Sequence, residues 1–191
     1  MRATRVAIVL GLAAAAGVLA WVLFIGAPRW AGRPEPRRTA TPAPAAPAVP
    51  GRRIKARLFY VADDGARLTA VEREVPYGEG TVEQAKEIVN AQMAPAAEPL
   101  VSAVPPGTTL RALFVTAEGQ AYLDLSPELS RAHPGGSLNE LLTIYTLVDA
   151  LTANLPAITA VQILIDGKPA DTLAGHVDLR RPLVKNLDLV E

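Results

Sequence analysis

The chain of 191 residues contains no cysteine, only two histidines, and aromatic residues at only 5%. The missing cysteines exclude disulfides, thiolate zinc sites, a cysteine nucleophile and the lipid-bearing cysteine of bacterial lipoproteins. The two histidines, His133 and His176, are not arranged as His-x-His or H-E-x-x-H. A G-x-S-x-G nucleophile motif and a phosphate-binding G-x-x-x-x-G-K-[ST] loop are also lacking. The sequence therefore predicts no catalytic, metal or cofactor site.

The net charge of zero hides two regions of opposite sign. Residues 1–52 carry seven Lys and Arg against one acidic residue, whereas residues 53–191 carry twelve against eighteen. The larger part is thus acidic, with a net charge of −6, and it has no basic stripe with interleaved aromatic residues. Because contacts to phosphate supply much of the affinity of nucleic-acid binding, no nucleic-acid partner is expected.

The first fifty residues predict an anchor followed by a spacer. Residues 6–27 are uncharged and would span about 33 Å as a helix, enough to cross a bilayer core. Residues 1–27 are therefore predicted to be an N-terminal transmembrane helix, with a signal sequence as the alternative. Residues 28–52 hold seven of the seventeen prolines and predict an extended linker. Residues 53–191, here called the head, are expected outside the cytoplasm on a single-pass membrane protein.

The head alternates strand and helix patterns. Apolar residues recur with period two in the strand segments and at helical spacing in the helices. The resulting order is β-β-α-β-β-α-β, which predicts a two-layer α+β domain with a mostly antiparallel sheet and two helices on one face. The predicted segments are a hairpin at 53–76, a helix at 80–93, a hairpin at 109–126, a helix at 137–155 and a strand at 161–165, with a short strand or arm at the end.

Capping boxes are predicted at the start of both helices. Thr81 and Gln84 have the required spacing for the first helix, and Ser137 and Glu140 have it for the second.

The most polar stretch lies near the end, where Asp178, Arg180 and Arg181 follow His176. On a strand, His176 and Asp178 would share a face, so the aspartate could orient the imidazole for base catalysis. The alternative is structural: Gly175 permits a turn, His176 bonds locally and Asp178 pairs with an arginine. Without a nucleophile motif, the structural interpretation is favoured.

Three strings give the head a family resemblance: Asp-Leu-Ser at 124–126, Asn-Leu-Pro at 154–156 and Leu-Ala-Gly-His-x-Asp-Leu-x-x-Pro at 173–182. The head resembles the GerMN, or germane, domain of bacterial spore-germination and sporulation proteins over residues ~53–185. The resemblance implies a small α+β module on extracytoplasmic proteins, similar to ring-building motifs and without established catalytic residues. The signature positions, expected to be structural, are Asp124, Leu125, Ser126, Asn154, Pro156, Asp166, Gly167, Leu173, Gly175, His176, Asp178 and Pro182.

Two functional hypotheses follow. In the first, the chain is a non-enzymatic envelope protein, anchored in the membrane, whose head binds other envelope proteins or copies of itself. This hypothesis rests on the order of anchor, linker and head and on the resemblance. In the second, the head binds a cell-wall component or small ligand, or hydrolyses one, at the polar stretch around His176.

Overall fold

A computed structural model describes residues 51–191, which lie within one compact unit, Ala48–Glu191. The predicted anchor and nearly all of the predicted linker lie outside the described residues. Within residues 51–191, no helix combines the length and the apolar character needed to cross a bilayer.

The first two strands form a separate ribbon. Strands β1 (Arg53–Val61) and β2 (Leu68–Pro76) pair antiparallel over their full length and make a two-stranded sheet. The carboxylate of Asp64 accepts the N–H groups of Ala66 and Arg67 at 2.8 and 3.2 Å and so stabilises the connecting turn. The predicted hairpin is confirmed, but its strands do not join the other sheet.

The remaining strands form a five-stranded sheet. They are β3 (Leu110–Val115), β4 (Gln120–Leu125), β5 (Ala160–Ile165), β6 (Lys168–Pro169) and β7 (Leu183–Val184). The order is β3-β4-β5-β6, and β7 pairs with the same strand β5. Strands β4 and β5 are parallel, because the long helix between them returns the chain to the same end of the sheet. The other pairings of this sheet are antiparallel, so it is mixed but mostly antiparallel, as predicted. The expectation of a single sheet is wrong, because β1 and β2 form a separate ribbon.

Three α-helices connect these strands: α1 (Gly80–Met93), α2 (Glu128–Arg131) and α3 (Ser137–Asn154). A 3-10 turn at Leu187–Leu189 follows β7. The one-turn helix α2 was not predicted, since four residues are too few for a helical period to appear.

The helices lie between the ribbon and the five-stranded sheet, so the domain has three layers rather than the predicted two. On α3, Ile144, Leu147 and Leu151 pack in the core beneath the sheet. Leu142 and Ala150 of the same helix pack with Phe59 of the ribbon in a second core. Burial on both sides explains why the apolar residues of α3 extend past one face, as expected for a helix enclosed by other elements.

Neither predicted capping box forms. Helix α1 begins at Gly80, before Thr81, and Gln84 instead accepts the N–H of Gly78 at 3.0 Å and donates to the carbonyl of Pro76. At α3 the N-cap is Gly136, without a side-chain cap, and Glu140 bonds elsewhere. Both polar side chains are buried, so each must be hydrogen-bonded. Gln84 binds the backbone just before α1, whereas Glu140 binds a loop more than thirty residues later.

Candidate functional site: the buried carboxylate of Glu140 and the loop around it

The polar centre of the head is Glu140, on the first turn of α3, whose side chain is completely buried. Its Oε1 accepts the N–H of Leu173 at 2.8 Å, and its Oε2 accepts the N–H of His176 at 2.9 Å. The loop 173–177 therefore wraps a carboxylate with its backbone. This is the same kind of N–H concavity that proteins use to bind anions, filled here by a side chain of the chain itself.

The electrostatics of this loop favour the ionised carboxylate. Burial alone raises the pKa of the Glu140 carboxyl, but the surrounding backbone N–H groups lower it by more, so the net shift is downward. Those N–H groups belong to Ala174, Leu173, Val177 and His176. The buried charge is thus compensated by oriented amides, which is the condition for keeping such a charge in a core.

The ring of His176 completes the contact. Its Nδ1 lies 3.1 Å from Oε2 of Glu140, while 45% of its side chain stays exposed. A carboxylate at this distance fixes the orientation of an imidazole, as in many acid–base pairs. The orienting acid is Glu140, however, and not Asp178, which the sequence suggested.

Asp178 is engaged by its neighbour. It accepts three hydrogen bonds from Arg180: from the backbone N–H at 3.0 Å, from Nε at 2.9 Å and from Nη2 at 2.8 Å. The hydrogen bond from the Arg180 side chain is the largest of the contacts that hold the pKa of this carboxyl far below its usual range. The pair closes an exposed turn, and the pairing of Asp178 with an arginine agrees with the structural interpretation of this stretch. Among the described residues, no hydrogen bond joins Asp178 to His176.

The other signature acids join two strands at one end of the sheet. Asp124 on β4 accepts the N–H of Gly167 at 2.7 Å and an N–H of Arg111 at 3.3 Å. Arg111 also pairs with Asp166 at 2.7 Å. Asp166 has a positive φ of 54°, a conformation that aspartate tolerates better than most residues, in the turn that leads into β6. Asp124 thereby fixes the turn after β5.

Ser126 and Asn154 connect elements because their side chains bind backbone groups of other parts of the chain. The Oγ of Ser126 accepts the N–H of Thr109 at 3.0 Å, while the N–H of Ser126 donates to the carbonyl of Thr109. Asn154 accepts the N–H of Arg57 at 2.8 Å and donates to its carbonyl at 2.7 Å. The side-chain amide of Asn154 therefore pairs with both backbone groups of Arg57 at the edge of β1, as a neighbouring strand would.

The remaining signature positions have structural places. Leu125 and Leu173 are buried in the core beneath the sheet. Gly175 has a φ of +96° in the loop around Glu140, a conformation that favours glycine. Pro156 and Pro182 are exposed, at the end of α3 and just before β7.

Three buried polar residues of the head were not predicted from the sequence: Glu140, Gln92 and Asp149. Glu140 was interpreted as a cap, although it shares the core-facing stripe with Ile144, Leu147 and Val148, and that position was the available signal. Gln92 binds both backbone groups of Phe59, at 2.8 and 2.7 Å, in the same way as Asn154 binds Arg57. Asp149 is the third.

Asp149 is buried on α3, and its Oδ1 accepts the N–H of Asn186 at 2.9 Å. Its Oδ2 is buried and has no hydrogen-bond partner among the described residues. Burial raises the pKa of this carboxyl, opposed by the bond from Asn186 and the charge of Lys185.

Among residues 51–191, no three His, Cys, Asp or Glu side chains are grouped so that they could hold a metal ion. The polar centre can orient one imidazole and hold a loop, but the described contacts place no nucleophile beside His176. A cavity of about 300 Å3 is lined by Val101, Pro134, Leu142 and Thr143, and His176 is not part of its lining.

The fold and its polar centre define a small α+β module whose buried acids hold its own backbone. Residues 57–171 match the model of the Germane family, described as sporulation and spore germination. The chain belongs to this family, and the resemblance seen in the sequence is confirmed. No curated protein matches the chain.

Solved structures share the fold. A candidate lipoprotein from Clostridium perfringens is 22% identical, with a TM-score of 0.50, and the match covers 73% of this chain and 92% of that one. The tandem GerMN domains of the sporulation protein GerM from Bacillus subtilis are 15% identical, with a TM-score of 0.55, over 72% of this chain and 48% of the tandem. The first of these domains alone is 18% identical, with a TM-score of 0.51, over 71% and 99%. At these identities the likeness concerns the fold.

Proposed function

We propose that the chain is a non-enzymatic protein of the bacterial envelope, anchored in the membrane, whose extracytoplasmic head mediates protein–protein interaction or assembly. The observation that carries this proposal is the closed polar centre. Glu140 is occupied by Leu173 and His176 of the chain itself. Asp124 is likewise occupied by Gly167 and Arg111. Both carboxylates are thus used to hold the chain's own backbone.

Three further observations support the envelope setting. The family is described by sporulation and spore germination, and structures with the same fold include a candidate lipoprotein and a sporulation protein. The uncharged stretch 6–27 has the length of a membrane-spanning helix. The proline-rich stretch that follows would set the head at a distance from the bilayer.

The proposal is tested with the full chain expressed in a bacterial envelope. We expect the chain to fractionate with membranes, the head to be digested by protease added from outside the cytoplasmic membrane, and chemical cross-linking to yield discrete higher-mass species. The purified chain in mild detergent should then show concentration-dependent mass by light scattering. A chain that stays monomeric at high concentration and cross-links to no envelope protein contradicts the proposal.

The second candidate is a ligand-binding or hydrolytic head centred on His176. The supporting observation is an imidazole held at Nδ1 by a buried carboxylate with much of the ring exposed. His176→Ala discriminates the two. Loss of binding to cell-wall fragments with unchanged thermal stability supports the ligand site, whereas a lowered melting temperature with no change in binding shows a structural residue.

A further inference from the structure

One face of the five-stranded sheet packs on the helices, and the opposite face, here called the outer face, does not. Directly opposed residues of neighbouring strands share a face. The pairing registers place Phe114 beside Tyr122, and Tyr122 beside Gln162. The outer face consists of Ala112, Phe114, Gln120, Tyr122, Asp124, Ala160, Gln162, Leu164, Pro169 and Val184.

The outer face is apolar and open to solvent at two positions far apart on the sheet. Phe114 on β3 is 62% exposed and Val184 on β7 is 63% exposed, the two highest values among the large hydrophobic residues of the described chain. Ala112, Tyr122, Ala160 and Leu164 are partly exposed. Gln162 on β5 is 6% exposed and donates from Nε2 to the carbonyl of Leu179 at 2.6 Å. A contiguous exposed apolar surface is typical of an interaction site, whereas exposed hydrophobic residues scattered singly are ordinary. Here the register links Phe114 to Val184 through Tyr122, Gln120 and Ala160.

The outer face also lacks free charge. Its only charged residue, Asp124, is 7% exposed and is bonded to Gly167 and Arg111. Arg111, at an irregularity in β3, is itself shared between Asp124 and Asp166. A sheet face that meets water normally carries polar residues, as the ribbon does with the pairs Lys55–Glu72 and Arg53–Glu74. The outer face departs from that pattern.

We propose that the outer face docks on the same face of a second copy of this chain. The inference rests on the proposed function and deepens it by naming the surface and the partner. The head carries a net charge of −6, so two copies repel wherever their charges meet. The outer face is the surface where they can meet without opposing like charges. A two-fold contact of this kind uses one patch twice.

The size of the outer face sets the expected strength. Four strands at about 4.8 Å spacing and six residues at about 3.3 Å rise give roughly 300–400 Å2 per copy. A stable complex buries about 800 Å2 per partner, so pairing in solution should be weak and concentration-dependent. Anchoring two copies in one membrane raises their effective concentration, which suits a weak contact.

Phe114→Glu tests the surface, and Val101→Glu is its control. Val101 is also an exposed hydrophobic residue, at 58%, but lies before β3 and outside the outer face. We expect Phe114→Glu to weaken self-association roughly tenfold or more in sedimentation equilibrium, and Val101→Glu to leave it unchanged. Equal association of the parent and Phe114→Glu, with both proteins folded by circular dichroism, overturns the inference.

The cysteine-free sequence permits a second test in the full chain in membranes. Single Phe114→Cys and Val184→Cys variants should be cross-linked to dimers by a short thiol-specific reagent, whereas Val101→Cys should not. Dimers formed equally by all three variants, or by Val101→Cys alone, contradict the proposed face.

The outcomes separate this inference from the proposed function. If the parent chain associates and Phe114→Glu associates equally well, the proposed function stands, but the outer face is not the contact surface. A parent that binds only a different envelope protein also overturns pairing between copies. Binding of a fragment of residues 48–191 to neutral phosphatidylcholine vesicles, lost in Phe114→Glu, would assign the outer face to lipid instead and overturn the inference. A parent that neither associates nor binds an envelope protein contradicts both.

Discussion

Replacing Glu140 by glutamine should strongly destabilise the head. Glutamine has the shape of glutamate, but its amide offers one acceptor where the carboxylate offers two. One oxygen can still accept the N–H of Leu173, but the NH2 group would then face the N–H of His176. Losing a charge-assisted bond and leaving a buried donor unpaired costs about 2–4 kcal/mol of the free energy of unfolding. For a domain of this size that is roughly 6–16 °C in melting temperature.

The measurement is thermal unfolding of a fragment of residues 48–191, followed by circular dichroism. Glu83→Gln is the matched control, since Glu83 lies on α1 in an exposed pair with Lys86. Exposed pairs contribute little, so this control should shift the melting temperature by about 1 °C or less. A shift of that size in Glu140→Gln would refute the assigned role of the buried carboxylate.

The pH dependence gives an independent check on the same residue. The folded-state pKa of Glu140 lies below its ordinary value of 4.5. The charged carboxylate therefore contributes stability above the unfolded-state pKa, and the contribution is lost as the pH falls through the folded-state pKa. The difference in stability between the parent and Glu140→Gln should shrink on acidification below about pH 4.5. A difference that stays constant or grows would contradict a carboxylate stabilised by amides.

Three other substitutions test the remaining contacts by the same unfolding measurement. Asp149→Asn should stabilise the head by about 1 kcal/mol near neutral pH. Burial raises the pKa of Asp149, so ionising this carboxyl at a pH above its ordinary pKa of 3.8 lowers the stability of the folded head. A loss of stability in Asp149→Asn would contradict this. Asn154→Ala should cost about 1–3 kcal/mol, since it removes two bonds to β1 and one within α3; an unchanged melting temperature would show that the edge of β1 does not need it. Gly119→Ala should cost more than about 1 kcal/mol, because its φ is +84° and the new Cβ would lie 2.6 Å from the carbonyl oxygen of Ala157; a neutral effect would contradict this turn geometry.

The local elements of the head follow from the sequence because they depend on residues close in the chain. The hairpin of β1 and β2, the second hairpin and both long helices are found within one or two residues of their predicted bounds. Period-two and helical spacing are local properties, and the Asp64-Gly65 turn depends on hydrogen bonds over two or three residues.

The layers could not be predicted in the same way, because they depend on which elements meet. An alternating pattern shows that a strand has one buried face, but not which helix buries it or which strand lies beside it. The apolar residues of α3 extend past one helical face, and the cause is burial against both the ribbon and the sheet. A helix apolar on nearly all sides indicates an interior position, which favours three layers over two.

The polar centre was only half visible in the sequence. The loop 173–177 belongs to the signature string 173–182, whereas its partner Glu140 lies more than thirty residues earlier. Spacing suggested Asp178 for His176, since neighbours in sequence are the first candidates for contact. Burial explains why His176 pairs with Glu140 rather than with Asp178. The buried carboxylate of Glu140 needs several hydrogen-bond donors, while the exposed Asp178 is satisfied by Arg180 alone.

The two buried acids of α3 also bear on the outer face, because they hold both ends of one segment. Glu140 binds Leu173 and His176 at the start of the segment, and Asp149 binds Asn186 at its end. Between these points the chain forms β7, which carries Val184 to the outer face. Because β7 pairs with β5 through only two residues, the position of Val184 depends on the contacts at either end. The two side chains therefore hold the segment that places Val184 in the outer face, and in this way the interior of the head bears on the surface through which two copies would meet.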